Sequence, residues 1–140
     1  MRAAFLLLVS TVMLAGCKRE QGSSSPLSAG TWACELDYPS GGHYHSTITL
    51  DSEGRYVCNG SVTSTNGIRT FTVAGIMKME EGFVVDTMTK HSNTNAKLPY
   101  TSRAKIIRQS EREIVAKWEG AEVESTMRRE KDLAQPPQED

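Results

Sequence analysis

The feature that most constrains this chain is its period. From Gly30 onward apolar residues recur at every second position: Trp32, Cys34, Leu36 and Tyr38, then Tyr44, Ile48 and Leu50, then Tyr56, Cys58 and Val62. The pattern returns in Ile114, Ala116 and Trp118, and again in Ala121, Val123 and Met127. The residues between them are mostly Glu, Lys, Thr and Arg. Successive side chains of an extended strand point to opposite faces, so this alternation predicts half-buried antiparallel strands. No segment carries a convincing helical period.

Turn chemistry cuts the runs apart. Pro39-Ser40-Gly41-Gly42, Asp51-Ser52-Glu53-Gly54, Asn66-Gly67, Glu81-Gly82 and Glu119-Gly120 all combine residues that tolerate tight or left-handed backbone. The spacing predicts about eight strands, at 31–38, 43–50, 55–63, 68–79, 83–89, 100–108, 113–118 and 121–128. The polar stretch from Lys90 to Pro99 reads as a loop. Short connections favour sequential pairing. An antiparallel meander of this length must close into a barrel or fold into two layers as a sandwich. The fold class is therefore all-β, and 140 residues suffice for one domain with a real core.

The N-terminus has a different character. Arg2 precedes an apolar run, Ala3 to Val9, continued by Val12-Met13-Leu14. This is too short to span a bilayer, which takes about 20 apolar residues, and has the length of a signal-peptide core. It ends in Leu14-Ala15-Gly16-Cys17, which resembles the lipobox of bacterial lipoproteins. The resemblance implies cleavage before Cys17, a diacylglyceryl group on its thiol and an acylated amine, enough chains for stable anchoring. Lys18 after the cysteine, rather than Asp, resembles lipoproteins sent to the outer membrane, facing the periplasm. On this reading residues 1–16 are signal and residues 17–29 are lipidated Cys17 with a flexible, Ser-rich tether. Residues 30–129 are the domain, and residues 130–140 a frayed tail.

Gly30-Thr31-Trp32 opens the first strand and resembles the Gly-x-Trp signature of lipocalin-like barrels. That resemblance implies a tryptophan at the barrel base with a late arginine packed across it. Arg128 is the candidate, with Arg129 beside it, and a guanidinium over an indole is physically reasonable. Phe71, Val73, Met77 and Met79 form an apolar stripe suited to a core or to an adaptable pocket. Ile68, Ala74 and Ile76 lie on the opposite face of the same strand and suggest that it too is covered, by a partner, the tail or the membrane surface.

Two cysteines remain after Cys17. In an exported chain, Cys34 and Cys58 are candidates for a structural disulfide. In a strict meander they sit on the first and third strands, roughly 10 Å apart. A disulfide needs Cα atoms within about 7 Å, so the bond would require splayed strands or a different order.

Chemistry-bearing motifs are few. His43 and His45 share a strand face at a spacing that can chelate a metal, given a third ligand such as His91 or a carboxylate. The plainer reading is two solvent-facing imidazoles beside the Gly41-Gly42 turn. Asp86 alternates with Val84 and Met88. It is either a buried acid paired with Arg103 or Lys105, or part of a solvated face, which is the reading favoured here. There is no Gly-x-Ser-x-Gly elbow and no phosphate-cradling loop, and no motif implies a cofactor. With 24% charged residues and a net charge of −1, nothing suggests nucleic acid as a partner. The expectation is a membrane-anchored, non-enzymatic cell-envelope lipoprotein acting as an interaction or assembly module on another envelope protein. The alternative is a lipocalin-like binder of a small apolar ligand, and the weaker one is histidine-dependent metal binding.

Overall fold

The computed structural model describes residues 25–131. The signal segment, Cys17 and its lipid, residues 18–24 of the tether and the tail beyond 131 lie outside the described residues. Nine strands follow one another: β1 Ser25–Pro26, β2 Gly30–Asp37, β3 His43–Leu50, β4 Arg55–Ser64, β5 Gly67–Glu80, β6 Phe83–His91, β7 Tyr100–Gln109, β8 Glu113–Trp118 and β9 Ser125–Lys131. There is no helix among the described residues.

From β2 to β9 each strand pairs antiparallel with the next. β9 returns to pair with β2, so the eight-stranded meander closes on itself. Of the two architectures open from sequence, the chain takes the barrel, of the small lipocalin-like kind. Closure leaves no long unpaired edge, which removes the hazard that an open meander presents to other chains.

The turns form as their residues dictate. Glu81 and Gly82 have φ of 51° and 81°, as a two-residue type I′ hairpin requires. At the β3–β4 turn Asp51 Oδ1 accepts from the backbone N–H of Glu53 and of Arg55, both at 2.9 Å. The final strand starts later than its alternation suggested. Ala121 N donates to Trp118 O in a tight turn, and the ladder resumes only at Ser125. Ala121 and Val123, expected on the last strand, therefore belong to the connection.

The two ends of the barrel differ. At the base lie the turns at 51–54, 81–82 and 110–112, and here the chain enters. Ser25 and Pro26 pair with Met79 and Lys78. Leu27 is buried, and Ser28 O accepts from Trp32 Nε1 at 3.1 Å. Residues 25–29, read from sequence as the end of a tether, thus form a strap across the base. Trp32, Leu50, Val84, Ala104 and Ile114 join Leu27 in the fully packed interior. Among the described residues the core runs from Leu27 to Met127, all of it within residues 18–140.

The base also shows which arginine crosses the tryptophan. Trp32 pairs across the ladder with Arg129, whose Cζ lies 5.9 Å from the ring centroid. Arg129 Nη2 donates to Ala29 O at 2.7 Å. Arg128, the residue favoured from sequence, points to solvent, where its Nε donates to Glu113 Oε2 at 3.1 Å. The register of β9 on β2 decides this: buried Met127 faces Cys34, so Arg129, two residues on, shares the inward face opposite Trp32, and Arg128 between them turns out.

Two glycines let the interior close. A Cβ on Gly60 would sit 2.5 Å from Phe71 Cζ and 2.7 Å from His45 O. Its absence lets the Phe71 ring lie across the strand and stack on Tyr44, with centroids 5.6 Å apart and planes at 21°. A Cβ on Gly75 would fall 2.2 Å from Thr87 O, because β6 crowds β5 where their register shifts.

Candidate functional site: a cavity in the open half of the barrel

Above the packed base the interior is not filled. A cavity of about 370 Å³ opens toward the end formed by the 38–42, 64–67, 92–99 and 119–124 connections. Aromatic and thioether side chains are prominent in its wall, among them Tyr38, Tyr44, Phe71, Trp118, Met77 and Met88. The stripe Phe71, Val73 and Met77 lines it, so the methionine-bearing strand faces a pocket as well as the core. This volume is at the lower end for small-molecule sites.

Its polar groups are few and unevenly satisfied. Trp118 Nε1 donates to Ser125 Oγ at 3.1 Å, and that hydroxyl donates to Ala116 O at 3.3 Å. His91 Nδ1 accepts from Asn93 N at 2.8 Å, which leaves the ring proton on Nε2. His91 reaches the cavity because of a bulge. Ala74 pairs with Lys90 but Gly75 with Met88, so Thr89 is the extra residue and the faces of β6 exchange beyond it. Strict alternation from Met88 would have turned His91 outward.

Asp86 is the unexpected member. It lies inside, 9% exposed, between Val84 and Met88, and not on a solvated face. Arg103, its suggested partner, is on the outside with Cζ 4.2 Å from the Phe83 ring centroid. Among the described residues no cation lies within ion-pair distance of Asp86. Burial pushes its carboxyl up to about 6, an effect that the nearby Tyr56 hydroxyl partly offsets. Tyr56 Oη and Asp86 Oδ1 are nevertheless both buried, and neither completes a hydrogen bond. The sequence signal was present in the alternation Val84-Asp86-Met88, but periodicity says which residues share a face and not which face is inside.

Cys34 and Cys58 both line the cavity, and both are free thiols. The disulfide expected as a possibility from sequence is not formed. β3 stands between them, with Ser46 opposite Cys34 and Ile48 opposite Cys58. Burial, and then the neighbouring Cys58, push the Cys34 thiol up to about 12, and burial also raises Cys58. Neither is activated as a nucleophile, since reactivity belongs to the thiolate. Burial likewise raises the phenols of Tyr44 and Tyr56 above their usual range.

The histidine pair is elsewhere. His43 and His45 point outward from β3, each opposite a carboxylate of β2. His43 Nδ1 donates to Asp37 Oδ1 at 2.7 Å, and His45 Nδ1 lies 3.6 Å from Glu35 Oε1. His91, proposed as a third ligand, faces the interior, so the barrel wall separates it from the pair. Among the described residues no group of three or more His, Cys, Asp or Glu side chains is placed to share a metal ion.

Compared with known proteins, the chain matches no protein-family model and no curated protein. The cavity therefore has to be interpreted from its own chemistry.

Proposed function

We propose that this chain is a non-enzymatic cell-envelope lipoprotein, anchored through lipid on Cys17, whose barrel holds a small and mostly apolar ligand. The observation that carries the reading is the aromatic-walled cavity of about 370 Å³, set over a closed base. A protein that served only as a rigid docking module would gain stability by filling that space, because unfilled apolar volume forfeits packing. The cavity thus moves weight from interaction module to binder.

The chain's point of entry and the mouth of the cavity lie at opposite ends of the barrel. The chain enters the barrel at Ser25, on the base, and the stretch from Cys17 to Ser25 spans less than about 30 Å even fully extended. An anchored protein would hold its base toward the bilayer and its mouth toward the aqueous compartment. The ligand would then be taken from solution or from a protein carrier. With Lys18 next to the cysteine, the outer membrane facing the periplasm is the proposed address.

Native mass spectrometry of residues 18–140, exported to the periplasm without the anchor, tests the binder reading. Extra mass that leaves on denaturation supports it, and a bare monomeric mass from several preparations counts against it. One observation favours docking as a second reading. Val57 and Ile76 are diagonal neighbours on the outside of β4 and β5 and each is 47% exposed, a small apolar patch suited to an envelope partner.

A further inference from the structure

We propose that the cavity selects an apolar ammonium: a ligand whose protonated amine seats on Asp86 and whose apolar body lies against Tyr44, Phe71, Met88 and Trp118. This rests on the cavity being a ligand site and adds the chemistry of what enters it.

The argument starts from what Asp86 lacks. A buried carboxylate is normally paired or saturated with hydrogen bonds, because its desolvation is otherwise uncompensated. Asp86 has Oδ1 without a partner and no ion pair among the described residues. Its ladder neighbours are Met77 on β5 and Ser102 on β7, neither of them a cation. A Val, Leu or Met at this position would suit the apolar surroundings and cost nothing in desolvation. An acid here is explained by a positive group that arrives from outside.

The remaining groups agree with that sign. Among the described residues Asp86 is the one carboxylate that lines the cavity, and the Cys34 and Cys58 thiols and the Tyr44 and Tyr56 phenols beside it are held neutral by burial. The buried Tyr56 Oη also lacks a partner. An ammonium offers three donors, and these two oxygens give it two acceptors. The aromatic rings that form the wall favour a cation over their faces. A fatty-acid carboxylate would meet Asp86 with like charge, and a simple alcohol would satisfy hydrogen bonding without compensating the charge.

The test uses residues 18–140 and three probes of equal chain length: octylamine, octanol and octanoate. Each is titrated near pH 7.5, read by calorimetry and by tryptophan fluorescence, to which Trp118 in the cavity wall contributes beside Trp32 at the base. The expected result is saturable one-to-one binding of octylamine, at least tenfold tighter than octanol, with octanoate weakest. In Asp86→Asn the advantage of the amine over the alcohol should vanish while octanol still binds. Octanol or octanoate binding as tightly as octylamine would overturn the ammonium proposal and leave the binder reading standing. So would an amine advantage that survives in Asp86→Asn. If none of the three binds the unmodified protein, the binder reading itself fails and this proposal fails with it. The selectivity of the unmodified chain is informative even if the variant does not fold.

Discussion

Arg129 lies over Trp32 at the base of the barrel, its Cζ 5.9 Å from the ring centroid, while its Nη2 donates to Ala29 O at 2.7 Å. One side chain thus ties β9 to β2 and to the strap that closes the base.

Arg129→Ala removes a cation–π contact and a charge-assisted hydrogen bond together. It is expected to cost about 2 kcal/mol, within the usual range for such contacts. Arg128→Ala removes only a solvent-exposed pair with Glu113 and is expected to leave the denaturation midpoint nearly unchanged. Urea denaturation of the two variants side by side checks which arginine matters. Equal losses would refute the assignment.

The acid inside the barrel gives the protein an unusual pH dependence. Folding raises the Asp86 carboxyl from 3.8 to about 6, so the folded state holds this proton more tightly than the unfolded state. The contribution from this group is fully present below about pH 4 and is lost as pH rises through about 6. Its size is on the order of 3 kcal/mol at most. Asp86→Asn is therefore expected to be more stable than the unmodified protein at pH 7.5, with the difference shrinking toward pH 4. Thermal melts across that range measure it. A variant less stable at every pH would show that the carboxylate has a compensating partner.

The two glycines that admit close packing are expected to resist enlargement unequally. Gly75→Ala drives a Cβ into the backbone oxygen of Thr87, which has no rotamer to escape by, and should cost about 3 kcal/mol or prevent folding. Gly60→Ala meets the end of the Phe71 ring, which can swing, but also His45 O. Its cost should be smaller and accompanied by a change in the cavity wall. Denaturant midpoints, with probe binding as a second readout, distinguish the two.

Free, buried thiols predict a particular labelling pattern. In native buffer at pH 8, Cys34 and Cys58 of residues 18–140 should alkylate slowly, since burial holds both as thiols. In denaturant without reductant both should label at once. Mass spectrometry reads the adducts, and no labelling until reductant is added would show that the pair is bonded.

The proposed anchor has a direct check. Cys17→Ser should move the protein from the membrane fraction to the soluble one and abolish incorporation of labelled palmitate. Membrane association that survives the substitution would argue against the lipid anchor.

Much of this architecture was legible from residue order. Alternation in 43–50 and 113–118, and turn pairs such as Glu81-Gly82, specify local backbone, because side-chain direction and allowed φ are properties of a few consecutive residues. The eight strands of the meander and their sequential pairing follow from the same local information, whereas the short β1 at Ser25–Pro26 does not. What required the tertiary structure were decisions made across the barrel. Closure of β9 on β2 chose barrel over sandwich. The register of β9 on β2 set Arg129, and not Arg128, opposite Trp32, and an extra residue at Thr89 turned His91 inward. Strict meander order, which only closure of the sheet without splayed strands could establish, left β3 between Cys34 and Cys58 and both thiols free. Leu27, a single apolar residue among Ser, Pro and Ala, could show its burial only once a base existed for it to cover. Asp86 could be placed on a face by its period, but only the closed sheet determined that this face was the inside. A period of two fixes the relative orientation of neighbours, whereas inside and outside are defined by strands far apart in sequence.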